Sequence, residues 1–168
     1  MEGTVASDAG AEIRDGIKCV AQFGAPRESL WPYSDKVPGP FTKKPSAAAY
    51  KEGLNHQAVT YLRVTQTAQQ LKGCLAEGFP VVFGMSVPAS FESDDVATNG
   101  KMPMPTANEQ ILGGHAVIIV GYNSTKRTYI VRNSWGTVWG DKGHFHAPEA
   151  FIHDPNWCSD FWTIRRVE

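Results

Sequence analysis

Residues 113–143 read GGHAVIIVGYNSTKRTYIVRNSWGTVWGDKG. The runs HAVIIVGY (115–122) and TYIVRN (128–133) are short, rich in β-branched and aromatic residues, and separated by turn-forming residues, so they predict two adjacent antiparallel strands. His115 opens the first strand and Asn133 ends the second, a placement that brings both side chains to one end of the pair. A histidine serving as base to a thiol needs its other ring nitrogen held by an acceptor, and an asparagine oxygen can do this without adding charge. Trp135 follows closely enough to cover the pair from water, and Gly136, Gly140 and Gly143 permit sharp turns around it.

Working outward, FPVVFGMSV (79–87) and FWTIRR (161–166) have the same strand character, which predicts a small antiparallel sheet or barrel in the second half. His144 and His146 alternate along a further strand. They could make half a metal site, but no third ligand is spaced to complete it, so they read as surface histidines and no metal is expected. Between FPVVFGMSV and HAVIIVGY, Pro88 to Gly113 is a long excursion that reads as a loop at a cleft. Upstream, Ala68, Leu71 and Leu75 form the inner face of a helix ending at Gly78, preceded by a strand at Ala58 to Val64. Glu28 to Pro45 carries repeated prolines and reads as a connecting loop. Before it, Ile13, Ile17, Val20 and Ala21 recur at helical spacing, with Ser7 or Asp8 as cap and Gly24 as stop.

A chain of 168 residues fits one domain or two small lobes and can bury roughly 70% of its unfolded surface. Sixteen basic and seventeen acidic side chains leave a net charge of -1 and no basic block, so nucleic acid is not an expected partner. No apolar run reaches the roughly 18 residues of a membrane span, and the opening residues lack the pattern of a secretory signal, so no membrane partner is expected and localisation stays open. Cys19, Cys74 and Cys158 are too scattered for a disulfide framework or a zinc site. Each reads as a small buried hydrophobe, Cys19 on an apolar helix face and Cys74 beside Leu71 and Leu75. No cofactor is expected.

GGHAVIIVGY followed by YIVRNSWGTVWGDKGHF resembles the histidine and asparagine segments of the papain family of cysteine peptidases. The resemblance extends to DAGAEIRDGIKCVAQFGAPRESLWPYS, similar to the helix and WPY loop after the family's substrate-binding glycine, and to LKGCLAEGFPVVFGMSV. It implies an α+β, papain-like fold: an incomplete helical lobe with its connecting loop over residues 1–54, and an antiparallel β-barrel-like lobe over 55–168. It further implies that His115 is the catalytic histidine, Asn133 its orienting partner and Trp135 the shielding indole. Gly10 is implied as the glycine that pairs with extended substrate, and Gly84 and Gly114 as walls of a roomy pocket for a bulky apolar side chain of a peptide or protein substrate.

One element of the family pattern has no counterpart here. The nucleophilic cysteine lies roughly 130–150 residues before the histidine in this family, whereas Cys19 lies 115 − 19 = 96 residues before His115 and follows no Gln-x-x-x-x-x-Cys context. Ser134 sits within NSWG and outside any G-x-S-x-G elbow, which argues against a serine hydrolase. The expectation is therefore the C-terminal part of a cysteine peptidase, inactive alone and completed by a Cys-bearing N-terminal segment. The alternatives are a pseudopeptidase or peptide-binding module, and one half of a split peptidase completed by another chain. In any of these a missing helix would uncover apolar surface for another chain, a rearranged lobe or a second copy to cover. The plainer readings are a core histidine bonded to a carbonyl at 115, a turn asparagine at 133, and core aromatics at Trp135 and Trp139.

Overall fold

In the computed structural model, residues 10–34 and 42–167 are described. The capping role expected of Ser7 or Asp8 falls outside them. The described residues fall into two compact units, one formed by residues 10–34, 42–61 and 164–167 and the other by residues 62–163.

In the first unit, α1 (Ile13–Phe23) buries Ile17 and stops at Gly24, whose N–H donates back to the Val20 carbonyl at 2.9 Å. Cys19 corrects the sequence expectation, because it is exposed. It stands two residues after Ile17, about 200° around a helix of 3.6 residues per turn, and so on the opposite face. A short helix not expected from the sequence, α2 (Ala47–Gly53), is capped by the Ser46 hydroxyl, which accepts from the Ala49 N–H at 3.2 Å. Its core Ala-Ala-Ala has no apolar periodicity to betray it. The two helix ends meet through glycines: a Cβ on Gly24 would lie 1.6 Å from the Gly53 carbonyl oxygen. Phe23, Leu30, Tyr33 and Leu54 are large apolar side chains left exposed here.

A six-stranded sheet runs in the order β1-β6-β2-β3-β4-β5. Its strands are β1 (Ala58–Arg63), β2 (Val81–Pro88), β3 (Ile111–Asn123), β4 (Thr128–Arg132), β5 (His144–Pro148) and β6 (Cys158–Val167). β1 and β6 each contribute residues to both units. On β2, Val81, Phe83, Met85 and Val87 are buried and alternate with half-buried Val82, Gly84 and Ser86, as the two-residue period of a strand requires. Gly84 pairs with Ser159 and Val82 with Trp162, so two steps on β2 face three on β6, and the extra residue is absorbed in a bulge at Asp160, which has φ +57. α3 (Ala68–Ala76) packs against β2 and β3 and buries Leu71 and Cys74. α5 (Glu149–His153), also unforeseen, packs against β4 and β5 and buries Phe151 and Ile152.

The excursion between β2 and β3 differs from the loop expected. It folds into a 3-10 turn at Ala89–Glu92 and α4 (Asp94–Asn99), capped by Ser93 and closed by Gly100 in the left-handed conformation. Phe91, Val96 and Met102 anchor it in the core. These elements are only four and six residues long, too short for the periodicity that reveals a longer helix.

Phe83 and Phe161 stack at the centre of the second unit with centroids 5.2 Å apart, and neither is more than 2% exposed. Phe83→Ala is expected to cost about 3–5 kcal/mol in urea unfolding. Val138→Ala, at a side chain 96% exposed, should stay within about 0.5 kcal/mol of wild type in the same measurement.

Candidate active site

The β2–β3 pairing sets His115 opposite Met85, with Ser86 opposite Gly114 and Gly84 opposite Ala116. β3 pairs in turn with β4, Ile118 opposite Arg132, so the chain leaves β4 at Asn133 beside the middle of β3 and near His115, which lies inside that strand and not at its start. The Asn133 N–H donates to the Gly143 carbonyl at 2.9 Å, and the Gly143 N–H to the Trp139 carbonyl at 2.8 Å. Gly143 has φ +84, the left-handed region that glycine enters without strain. The backbone under Asn133 is therefore fixed before its side chain is considered.

That side chain is 7% exposed as a residue, and its Oδ1 lies 2.8 Å from His115 Nε2 and 2.8 Å from the Ser134 backbone N–H. A backbone N–H can only donate, so the amide atom facing it is the oxygen. His115 must then donate from Nε2. In the neutral ring this leaves the lone pair on Nδ1, and no partner to Nδ1 is found among the described residues. The amide nitrogen of Asn133 is buried without a hydrogen-bond partner among the described residues.

Trp135 stacks on the His115 ring, with centroids 5.1 Å apart and planes 21° from parallel. The indole is itself wedged by Phe91 at 5.5 Å and by the edge of Trp139 at 5.1 Å. Trp139 packs also on Phe91 and Phe145. Trp135 remains 39% exposed, so it covers one face of the imidazole while presenting its other side to solvent. Phe91, which backs the indole, carried no signal in the sequence beyond being aromatic within the excursion.

The turn that anchors Asn133 is held by a second pair. His146 Nε2 lies 3.0 Å from Asp141 Oδ2, and His144 Nδ1 lies 3.1 Å from the Lys142 carbonyl. The hydrogen bond from His146 holds the Asp141 carboxyl below its ordinary value, aided by the positive charge nearby and opposed by partial burial. Among the described residues no group of three or more His, Cys, Asp or Glu side chains is arranged to hold a metal ion.

Gly84 and Gly114 lie on one sheet face, diagonal to each other across β2 and β3, with Ser86 and Ala116 between them. Their face is the reverse of the one that carries Met85. A Cβ on Gly114 would meet nothing within 4 Å, so the surface there is open. Gly10, in the other unit, is exposed with φ +76. Cys158 is opposite Met85 on β6, two strands from His115 on the same face. It is buried, and burial pushes its thiol up, out of reach of ionisation near neutral pH. Cys74 is buried in the core cluster.

Residues 7–158 match the family described as "Papain family cysteine protease". The chain belongs to the papain family of cysteine proteases. It is 41% identical over 175 residues to an uncharacterised peptidase C1-like protein of Acanthamoeba polyphaga mimivirus, covering 99% of this chain and 55% of that protein. Xylellain, a cysteine protease from Xylella fastidiosa, superposes with a TM-score of 0.91 at 40% identity, over 99% of this chain and 66% of that one. Digestive procathepsin L 3 of Tenebrio molitor, 16% identical with a TM-score of 0.68, covers 91% of this chain and 48% of that chain and shares the fold. The chain thus spans about half of the mimivirus relative and two thirds of xylellain. The papain-like α+β fold expected from the sequence is the fold observed.

Asn133→Ala removes the acceptor from two donors and is expected to cost about 1–3 kcal/mol in chemical denaturation. The long-range nitrogen-proton NMR pattern of His115 should also change from a single Nε2–H tautomer to a mixture. Asp141 has a lowered carboxyl in the folded state, so its contribution is present at neutral pH and is lost as pH falls through the folded value. The stability gap between wild type and Asp141→Asn should therefore persist down to about pH 4 and close below it, as read from denaturation midpoints across pH.

Proposed function

We propose that His115, Asn133 and Trp135 are the base, orienting and shielding residues of a peptide-hydrolysing Cys-His-Asn site whose thiol comes from outside these 168 residues. The observation that carries this reading is the Nε2–H bond to Asn133 with Nδ1 left open. A cysteine thiol set against Nδ1 would pass its proton to the ring, forming the thiolate–imidazolium pair. The Asn133 oxygen supports the imidazolium by accepting from Nε2–H without cancelling its charge. Thiolate attack on the peptide carbonyl would form the S–C bond, the C–N bond would break as Nδ1–H gives its proton to the departing amine, and water deprotonated by His115 would then cleave the thioester, releasing the acid and restoring the thiol.

None of the three cysteines suits the part. Cys74 and Cys158 are buried, and Cys19 stands on α1 outside the family's spacing. We read the exposed Phe23, Leu30, Tyr33 and Leu54 as surface that a Cys-bearing segment or chain would cover. Gly10, Gly84 and Gly114 are read as substrate contacts, with the open surface at Gly114 leaving room for a bulky apolar side chain. The open surface at Gly114 supports a second reading, a peptide-binding module that holds an extended chain without cleaving it.

The chain alone is expected to release no fluorophore from a fluorogenic peptide amide and to leave Cys19 unlabelled by an epoxysuccinyl inhibitor in intact-mass analysis. Hydrolysis by the isolated chain that disappears in Cys19→Ser would overturn the assignment of an external thiol.

A further inference from the structure

The 3-10 turn at Ala89–Glu92 starts after Pro88, which stands at the cap position and makes no side-chain bond to the turn's leading N–H groups. Such groups have no acceptor within their own turn and must find one elsewhere. Here both acceptors come from the far end of the excursion. The Ala89 N–H donates to the Gln110 carbonyl at 3.0 Å, and the Ser90 N–H to Glu109 Oε1 at 2.6 Å. The pairing of β2 with β3, which reaches Pro88 opposite Ile111, is thus carried two residues further, the last of them by a side chain.

Glu109 is itself locked in place. Its Oε2 accepts from the Thr106 N–H at 3.0 Å, and its own N–H donates to the Thr106 carbonyl at 3.2 Å. Backbone N–H bonds to an ionised carboxylate are stronger than those between neutral groups. One carboxylate therefore clamps Ser90 to a turn that lies 19 residues away in sequence.

The clamp bears on the residue after Ser90. Phe91 is fully buried and lies 5.5 Å from the Trp135 indole, which stacks on His115 at 5.1 Å. Phe91 also packs on Trp139 and Phe145. Those contacts fill the space around its ring, while the backbone that carries the ring enters the layer from Ser90. In a close-packed aromatic layer a shift of one ring displaces its neighbours.

We propose that Glu109 is a positioning residue for His115: acting through Ser90 and Phe91, its carboxylate sets the angle at which the Trp135 indole lies on the imidazole. This rests on the reading of His115 and Trp135 as base and shield, and it concerns how the shield is held.

The test uses the full chain and NMR. The His115 ring protons, moved upfield by the face of the indole, report the stack, and Ser90 amide exchange reports the clamp. Glu109→Ala removes both acceptors. Glu109→Gln keeps one oxygen, which takes the shorter bond, to Ser90. Glu92→Gln, at an exposed carboxyl in the same turn, is the control. In Glu109→Ala the Ser90 amide is expected to lose protection and the His115 ring protons to move downfield toward free-histidine values, with the core methyl signals of Val81, Val117 and Ile119 unchanged. Glu109→Gln should restore most of that shift, and Glu92→Gln should match wild type. Should Glu109→Ala not fold, Glu109→Asp, which keeps the charge and shortens the reach, takes its place with the same expectation. A purely structural Glu109 lowers the denaturation midpoint and leaves the His115 signals of the folded chain where they were. That result, a Glu109→Gln spectrum displaced as far as that of Glu109→Ala, or an equal displacement in Glu92→Gln would sink the proposal. The readout involves no thiol and no substrate, so its failure and the failure of the external-thiol assignment are separate results.

Discussion

The register of β2 on β3 is the constraint on which the rest of the second unit depends. With Val81 opposite Ile119 and Met85 opposite His115, one face collects Val81, Phe83, Met85, Val117 and Ile119 for burial, and the other is left to Gly84, Gly114 and Ala116. A slip of one residue would exchange these sets, exposing the core and burying the glycines. Burial of a phenylalanine or isoleucine stabilises by roughly 1.5–3 kcal/mol, so several such residues acting together make the register unambiguous. His115 inherits its position from that choice. It sits at the end of the buried row, where the core gives out and the ring meets Trp135 and Asn133.

The aromatic layer under the site shows how packing and chemistry share residues. Phe91 is fully buried and touches Trp135, Trp139 and Phe145 at centroid distances between 4.8 and 5.5 Å. Tilted and edge-on contacts of this kind add to area burial and resist rotation of the rings. The indole on His115 is thus held from below by the hydrophobic core, and the Asn133 amide from the side by two backbone anchors and a backbone donor. Orientation of the imidazole is a property of the fold and needs no ligand.

Much of this was legible in the sequence. Strand character predicted that His115 opens one strand and Asn133 ends the next; β3 instead begins four residues earlier, at Ile111, and the pairing with β4 still brings the two side chains together. The tautomer was not legible, because it depends on the Ser134 N–H turning toward the amide. Helix α2, the turn and helix of residues 89–99, and α5 are seven residues or shorter, and their periodicity is too brief to read. Cys19 misled because a cysteine among apolar neighbours looks buried until its angle on the helix is counted from Ile17. Asp160 gave no sign at all: a bulge is a relation between two strands, and only their pairing reveals it.

That bulge also divides β6 into two frames. Before it, Cys158 turns inward with Met85. After it, Phe161 and Thr163 share that face, and Trp162 lies on the opposite face with Val82, where it is also buried. The strand's inward positions therefore change from even to odd numbers at one residue. Length within residues 159–161 is thus held more strictly than chemical identity, since any substitution there changes one side chain, whereas losing or gaining one position turns the remainder of the strand inside out.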